Sequence, residues 1–324
     1  MAIPKNPVAR SRPDIAASLT EFDLEANNNK MIATKLFPVF EANQQAGNFG
    51  RIKAKQLLQS AGDIERASGA GYKRRKWEFE DHNWFTKEYG VEEKIDERDS
   101  NRYADYFDHE LIATSRSRSA TLIRQEEQTR DMIFGVPVAQ HTVAGTPWTN
   151  WTGSDPITIV ENAIQKFWNR TGIWPNALGM SYLTFRNLRQ NTIVLDRVAA
   201  NGAGDRIRAT DITTQQIAEV FDLQHICVGG AAQDGAGNGL ALDVQMIWGT
   251  QNAFLIKIPD TNDLEEPAFG RTFHWSEDGS RVGGLVESYW EESCRSWVYR
   301  LRHEIDPNEI YTELAELITG VGPA

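Results

Sequence analysis

From Gly47 to Lys76 the chain reads GNFGRIKAKQLLQSAGDIERASGAGYKRRK, a stretch so poor in apolar residues and so rich in glycine that it cannot build its own core. Its ends suit strands paired around a mobile tip, so it must lean on another surface. It carries eight basic residues (Arg51, Lys53, Lys55, Arg66, Lys73, Arg74, Arg75 and Lys76) against Asp63 and Glu65. The next stretch inverts the sign: from Glu78 to Glu110, twelve acidic residues face Lys87, Lys94, Arg98 and Arg102. Adjacent blocks of opposite charge either neutralise each other within one molecule, stay solvated, or mate between molecules. In the last case a basic hairpin reaches an acidic patch on a neighbouring copy, and the charges set register and encounter rate. The residues expected at such a contact are Arg51, Lys53, Lys55, Lys73, Arg74, Arg75 and Lys76 on one side. On the other stand Glu92, Glu93, Asp96 and Glu97.

The flanking segments follow from local pattern. Residues 1–46 are polar and proline-bearing except for MIATKLFPVFEA, and read as an arm that needs a surface to lie on. The stretch EFEDHNWFTKEYGVEEKID mixes aromatic and polar residues as strands do. RYADYFDHELIATSRSRSATLIRQEEQTRDMIF is expected to be one helix, capped by Ser100 or Asn101. About thirty helical residues span about 45 Å, more than one small core needs, so this helix serves as a spine. VPVAQHTVAGTPWTNWTGS then connects to an α/β region. There Asp155 caps a helix, Pro156 takes its first position, and Ile157, Val160, Ile164, Phe167 and Trp168 form its buried face until Gly172 ends it. ALGM is a buried strand, and Ser181 caps a helix that turns Phe185 and Leu188 inward. A capped helix after Asp211, the strands HICVGG, MIWGT and AFLIKIP, and a tail of long aromatic-rich strands complete the pattern.

A chain of 324 residues with 10 Trp and 14 Phe has material for about two domains with real cores. It shows neither a signal-peptide h-region nor the run of about 18 apolar residues that spans a bilayer. Cys227 and Cys294 give no disulfide framework, which suits a reducing compartment, and both read as buried free thiols. A net charge of -11 argues against a dedicated nucleic-acid binder, which needs a concentrated cationic footprint.

Catalytic chemistry is not legible. The loop GGAAQDGAGNG lacks the phosphate-loop lysine and, despite Asp234 and Asn238, has no acidic residue to close a calcium site; it reads as a flexible hairpin. GMSYL lacks the second glycine of a nucleophile elbow. His82, His109, His141, His225, His274 and His303 never take metal-ligand spacing, so no metal or cofactor is expected. The remaining alternatives are an α/β enzyme with an unrecognised site and a glycan-binding module using Trp148 and Trp151.

The order of parts resembles the major capsid proteins of tailed bacteriophages, whose fold is the Hong Kong 97-type. The resemblance runs from about Met31 and includes KLFPVF before the extended loop and RQEEQTRDMIF at the end of the spine. Its most specific piece is GTPWTNW followed by SDPI, a helix, TGIWPNAL and a Ser-capped helix. It implies an α+β fold with an N-terminal arm over 1–46, an extended β-hairpin loop over 47–76, and a peripheral domain with the spine helix and connector over 77–154. An α/β axial domain would cover 155–259, and strands over 260–324 would return from the peripheral to the axial domain. The implied role is a coat subunit that assembles in the host bacterial cytoplasm, through pentamers and hexamers, into an icosahedral shell around double-stranded DNA. Its partners would be further copies of itself, a portal, a scaffolding protein and in some cases a decoration protein. Some members begin with a long scaffolding segment; this chain has none, which implies a separate scaffold or prior cleavage. Some cross-link lysine to asparagine. Lys53 or Lys55 lies in the corresponding loop, but no partner asparagine is marked. In this reading the loops 201–208 and 229–239 of the α/β unit meet other copies.

Overall fold

The computed structural model describes residues 10–11, 31–52, 56, 58–59, 65–66, 68–69, 71–72, 74, 76, 78–98, 109–200, 209–237, 239–277 and 279–323. In chain order these form β1 (Arg10–Ser11), α1 (Ala33–Leu36), β2 (Val39–Ala42), β3 (Ala46–Ile52), β4 (Phe79–Phe85) and β5 (Lys87–Asp96). Next come α2 (His109–Phe134), β6 (His141–Val143), α3 (Pro156–Thr171), β7 (Ala177–Ser181), α4 (Tyr182–Gln190), α5 (Thr192–Ala200) and α6 (Thr214–Phe221). The chain continues with β8 (His225–Gly229), β9 (Ala232–Asp234), β10 (Val244–Met246), β11 (Asn252–Ile256), β12 (Gly270–Trp275), β13 (Leu285–Glu291), β14 (Ser296–Glu309) and β15 (Ala315–Thr319).

Two main sheets result. The first runs β1-β13-β14-β12-β2, with β5 on the other side of the long strand β14. The second runs β6-β15-β11-β7-β8. Its central strands are buried on both faces, and alternate residues enter different cores. Leu178, Met180, Ala253 and Leu255 pack with α3 to α6, whereas Ala177, Phe254 and Ile256 pack with Phe167, Leu36, Phe37 and Ile133. That double burial is why ALGM and AFLI carry no polar alternation. Gly179 is obligatory in β7, because a Cβ there would come within 2.1 Å of the Phe254 ring.

The local signals of the α/β unit hold. Asp155 Oδ1 accepts the Thr158 N–H at 3.1 Å, Gly172 closes α3 at φ 69°, and Ser181 Oγ accepts the Thr184 N–H at 3.3 Å. Thr213 and Gln216 form a reciprocal capping box at α6. One residue differs from expectation: Trp168 is 42% exposed and stacks on exposed Trp174, with ring centroids 5.6 Å apart, while Phe167 alone enters the core. The thiols also divide, Cys227 being buried and Cys294 only half-buried.

The long helix α2 has 26 residues and spans about 39 Å. Ser100 and Asn101, the expected caps, lie outside the described residues. Its buried stripe is mostly polar: Thr114, Ser117, Thr121, Gln125, Glu126 and Thr129 face inward. The hydroxyls of Thr114, Thr121 and Thr129 each donate to the carbonyl four residues earlier, at 2.6, 2.9 and 3.0 Å, so the helix satisfies them internally.

The cluster MIATKLFPVFEA, expected to need a surface to lie on, finds one within the same chain. Ile32, Ala33, Leu36, Phe37 and Ala42 are buried, and β2 pairs in parallel with β12. Glu126 locks this segment down: Oε1 accepts the Ala33 N–H and Oε2 the Trp248 indole N–H, both at 2.6 Å. Burial outweighs these bonds and pushes the Glu126 carboxyl up to about 7. The folded state therefore holds a proton that the unfolded state has released between the ordinary value of 4.5 and about 7, and stability contributed by this group falls as pH rises through that window. The difference is worth about 3 kcal/mol. Glu126→Gln is expected to flatten the decline in melting temperature between pH 4.5 and 7; an unchanged slope would assign the decline to another group.

Candidate inter-subunit surface

The extended segment is flanked by a two-stranded ribbon, β3 against β4, with Phe49 opposite His82 and Arg51 opposite Glu80. Aromatic rings fasten it from below. Phe49 and Trp84 both stack on Phe273 of β12, at centroid distances of 5.7 and 5.0 Å. Hydrogen bonds tie it to the tail: the Phe85 N–H donates to Asp306 at 3.0 Å, Asn308 Nδ2 to the Asn83 carbonyl at 3.1 Å, and the Tyr311 hydroxyl to the Ile52 carbonyl at 3.2 Å. The base of the loop is thus a fixed part of its own subunit.

Arg51, expected at a neighbouring copy, is engaged at home. Its Nε lies 3.0 Å from Glu80 Oε2, and Nη1 donates to the Ile310 carbonyl at 2.6 Å. The acidic strand β5 also has partners in its own chain, because β14 lies beside it and carries arginines. Glu92 is 3.7 Å from Arg300, Glu88 3.8 Å from Arg302, and Glu97 3.0 Å from Arg295. Arg300 and Arg302 also grip Glu287. Burial opposes ionisation of Glu287, but hydrogen bonds from the two guanidiniums outweigh it and hold the carboxyl below the usual carboxylate range.

The rest of the expected contact is more open. Glu93 is half-buried, and Asp96 is exposed and accepts the Arg98 N–H at 2.8 Å. Arg74 and Lys76 are exposed and form no ion pair among the described residues. Lys53, Lys55, Lys73 and Arg75, and the loop 201–208, lie outside the described residues.

The features considered for catalysis have structural occupations. Ser181 is fully buried and uses its hydroxyl as a helix cap. The glycine-rich loop is built around the β9–β10 hairpin, where Asp234 Oδ1 accepts the Ala236 and Asp243 N–H groups at 3.0 Å each. Those bonds hold the Asp234 carboxyl below its ordinary value. A groove of about 710 Å³ lies between α1, α6 and β8 and includes Lys35, His225 and Cys227. Burial there pushes the Cys227 thiol up to about 11, so it stays protonated at neutral pH. Trp148 is fully buried and Trp151 is 46% exposed, so they do not form a joint aromatic platform. Among the described residues no group of three or more His, Cys, Asp or Glu could hold a metal ion, and no helix is long and apolar enough to cross a membrane.

No protein-family description matches the chain by sequence, and no curated protein does. Solved structures match it along its length. A phage-related protein from Bordetella bronchiseptica RB50 superposes with a TM-score of 0.65 at 22% identity, covering 97% of this chain and 98% of that one. A chain from the capsid of cyanophage P-SCSP1u gives 0.56 at 10% identity, covering 89% and 87%. A chain from a virus-like particle of Pyrococcus furiosus gives 0.53 at 11% identity, covering 91% and 95%.

Proposed function

Because the chain has the Hong Kong 97-type fold of tailed-phage major capsid proteins, we propose that it is the coat subunit of a tailed bacteriophage head. In this reading it assembles through pentamers and hexamers into an icosahedral shell around double-stranded DNA. The observation that carries the reading is the likeness in fold to a cyanophage capsid chain over 89% of this chain. Residues 77–154 with the strands of 260–324 form the peripheral domain, 155–259 the axial domain, and 47–76 the loop that reaches a neighbour. Arg74 and Lys76 at the loop's base dock near Glu93 and Asp96 of the adjacent copy. With a net charge of -11, the shell confines DNA rather than gripping it. A scaffolding protein and a portal are the further partners, with or without a decoration protein. Sedimentation and negative-stain imaging of the purified full chain test the reading. Capsomers or shells are expected, and a monomer at every concentration and salt tried would overturn it.

A further inference from the structure

The β9–β10 hairpin exposes apolar side chains at alternate positions: Leu240 is 74%, Leu242 72% and Val244 65% exposed. No described residue covers them, and each exposed side chain carries an unfavourable hydration cost. From Gly229 to Ile256 there is no Lys or Arg, and the charges are Asp234 and Asp243. The hairpin is therefore an apolar knob with an acidic base.

A matching hole lies on the same chain. A groove of about 310 Å³ is lined by Trp151, Leu183, Arg186, Asn187, Thr250 and Pro323, among others. Trp151 and Leu183 remain 46% and 42% exposed within it. Arg186 is exposed and makes no ion pair among the described residues. The hole is therefore apolar with a basic rim, complementary to the knob in both respects.

Knob and hole also stand at the same end of the second sheet. Ser181 at the end of β7 pairs with Gly229 at the end of β8. The hairpin departs just after Gly229, and α4, which supplies Leu183 and Arg186, begins at Tyr182. The hairpin springs from the edge strand β8, whereas the groove is built from α4, the connector and the segment after β15. Two unlike, complementary surfaces at one end of the sheet suit a head-to-tail contact, which closes into a ring when the rotation closes.

We propose that the Leu240/Leu242 tip of one copy inserts into the Trp151/Leu183 groove of the next, with Asp243 beside Arg186. The proposal rests on the coat-subunit reading and adds a specific contact inside each ring. It makes the hairpin a closure element of the capsomer.

The test uses the full chain with Leu183→Cys and Leu242→Cys, in a Cys294→Ser background that removes the half-buried native thiol. After oxidation of assembled material, a denaturing gel without reductant should show a ladder of covalent multimers, while each single cysteine variant runs as monomer. Assembled particles that yield only monomer, or a single variant that cross-links to itself, would overturn the hairpin contact and leave the coat reading standing. Parent protein that never assembles removes both. A second variant guards against local misfolding: Leu240→Asp with Leu242→Asp should keep the parent's circular dichroism and lower the assembled fraction by about tenfold or more. Unchanged assembly of that folded variant would also overturn the proposal.

Discussion

Replacing Arg74 and Lys76 with glutamate is expected to stop assembly while leaving the melting and circular dichroism of the free subunit near those of the parent. Both side chains are exposed and have no ion-pair partner among the described residues, so the isolated fold loses little. A single exposed ion pair is worth only about 0.2–1 kcal/mol. In a shell, however, the same contact recurs at every subunit, and reversed charges repel where they formerly attracted. The parent's own assembly should depend on salt, because contacts at the surface lie within screening reach of solvent ions. Sedimentation of the double variant across a salt series measures this. Normal assembly would show that the basic base of the loop has no acidic partner on a neighbour. An unfolded variant would show that it serves its own subunit.

Trp248→Ala is expected to destabilise the subunit by about 3–5 kcal/mol, the range for truncating a large buried aromatic residue. Trp248 is 1% exposed, and its ring centroid lies 5.3 Å from that of Phe254 and 6.2 Å from that of Phe134. It sits where the arm segment, the spine and the second sheet meet. The substitution opens a cavity there and also withdraws the indole donor from Glu126 Oε2, leaving half of a buried carboxylate unsatisfied. Trp248→Phe separates the two effects, since it keeps most of the packing and loses the donor; a smaller cost of about 1–3 kcal/mol is expected. Denaturant melts of both variants measure the difference. If alanine costs no more than phenylalanine, packing at this junction contributes little and the hydrogen bond dominates.

Features decided within a few residues were legible in the sequence. Asp155, Gly172 and Ser181 read as helix punctuation because a cap bonds to a backbone group three or four positions away, and the structure has all three bonds. The run ALGM reads as a buried strand because a strand covered on both faces has no polar alternation to show. The order of such elements along the chain was enough to suggest the fold.

What required the tertiary structure was every feature whose partner lies far away in sequence. Helical spacing placed Trp168 beside Phe167 on one face, but the width of a buried stripe is set by what packs on it, and there Trp174 offered a stacking surface outside the core. The inward stripe of the spine escaped an apolar-period reading because its threonines satisfy their hydroxyls inside the helix. Counting charge in adjacent blocks missed that β14 lays Arg300 and Arg302 against the acidic strand β5, since sheet register, not sequence distance, chooses neighbours. Likewise Glu126 looks like an ordinary surface glutamate in RQEEQTRD. Only the packing of α1 and Trp248 against it, one from each side, turns it into a buried carboxyl poised near neutrality.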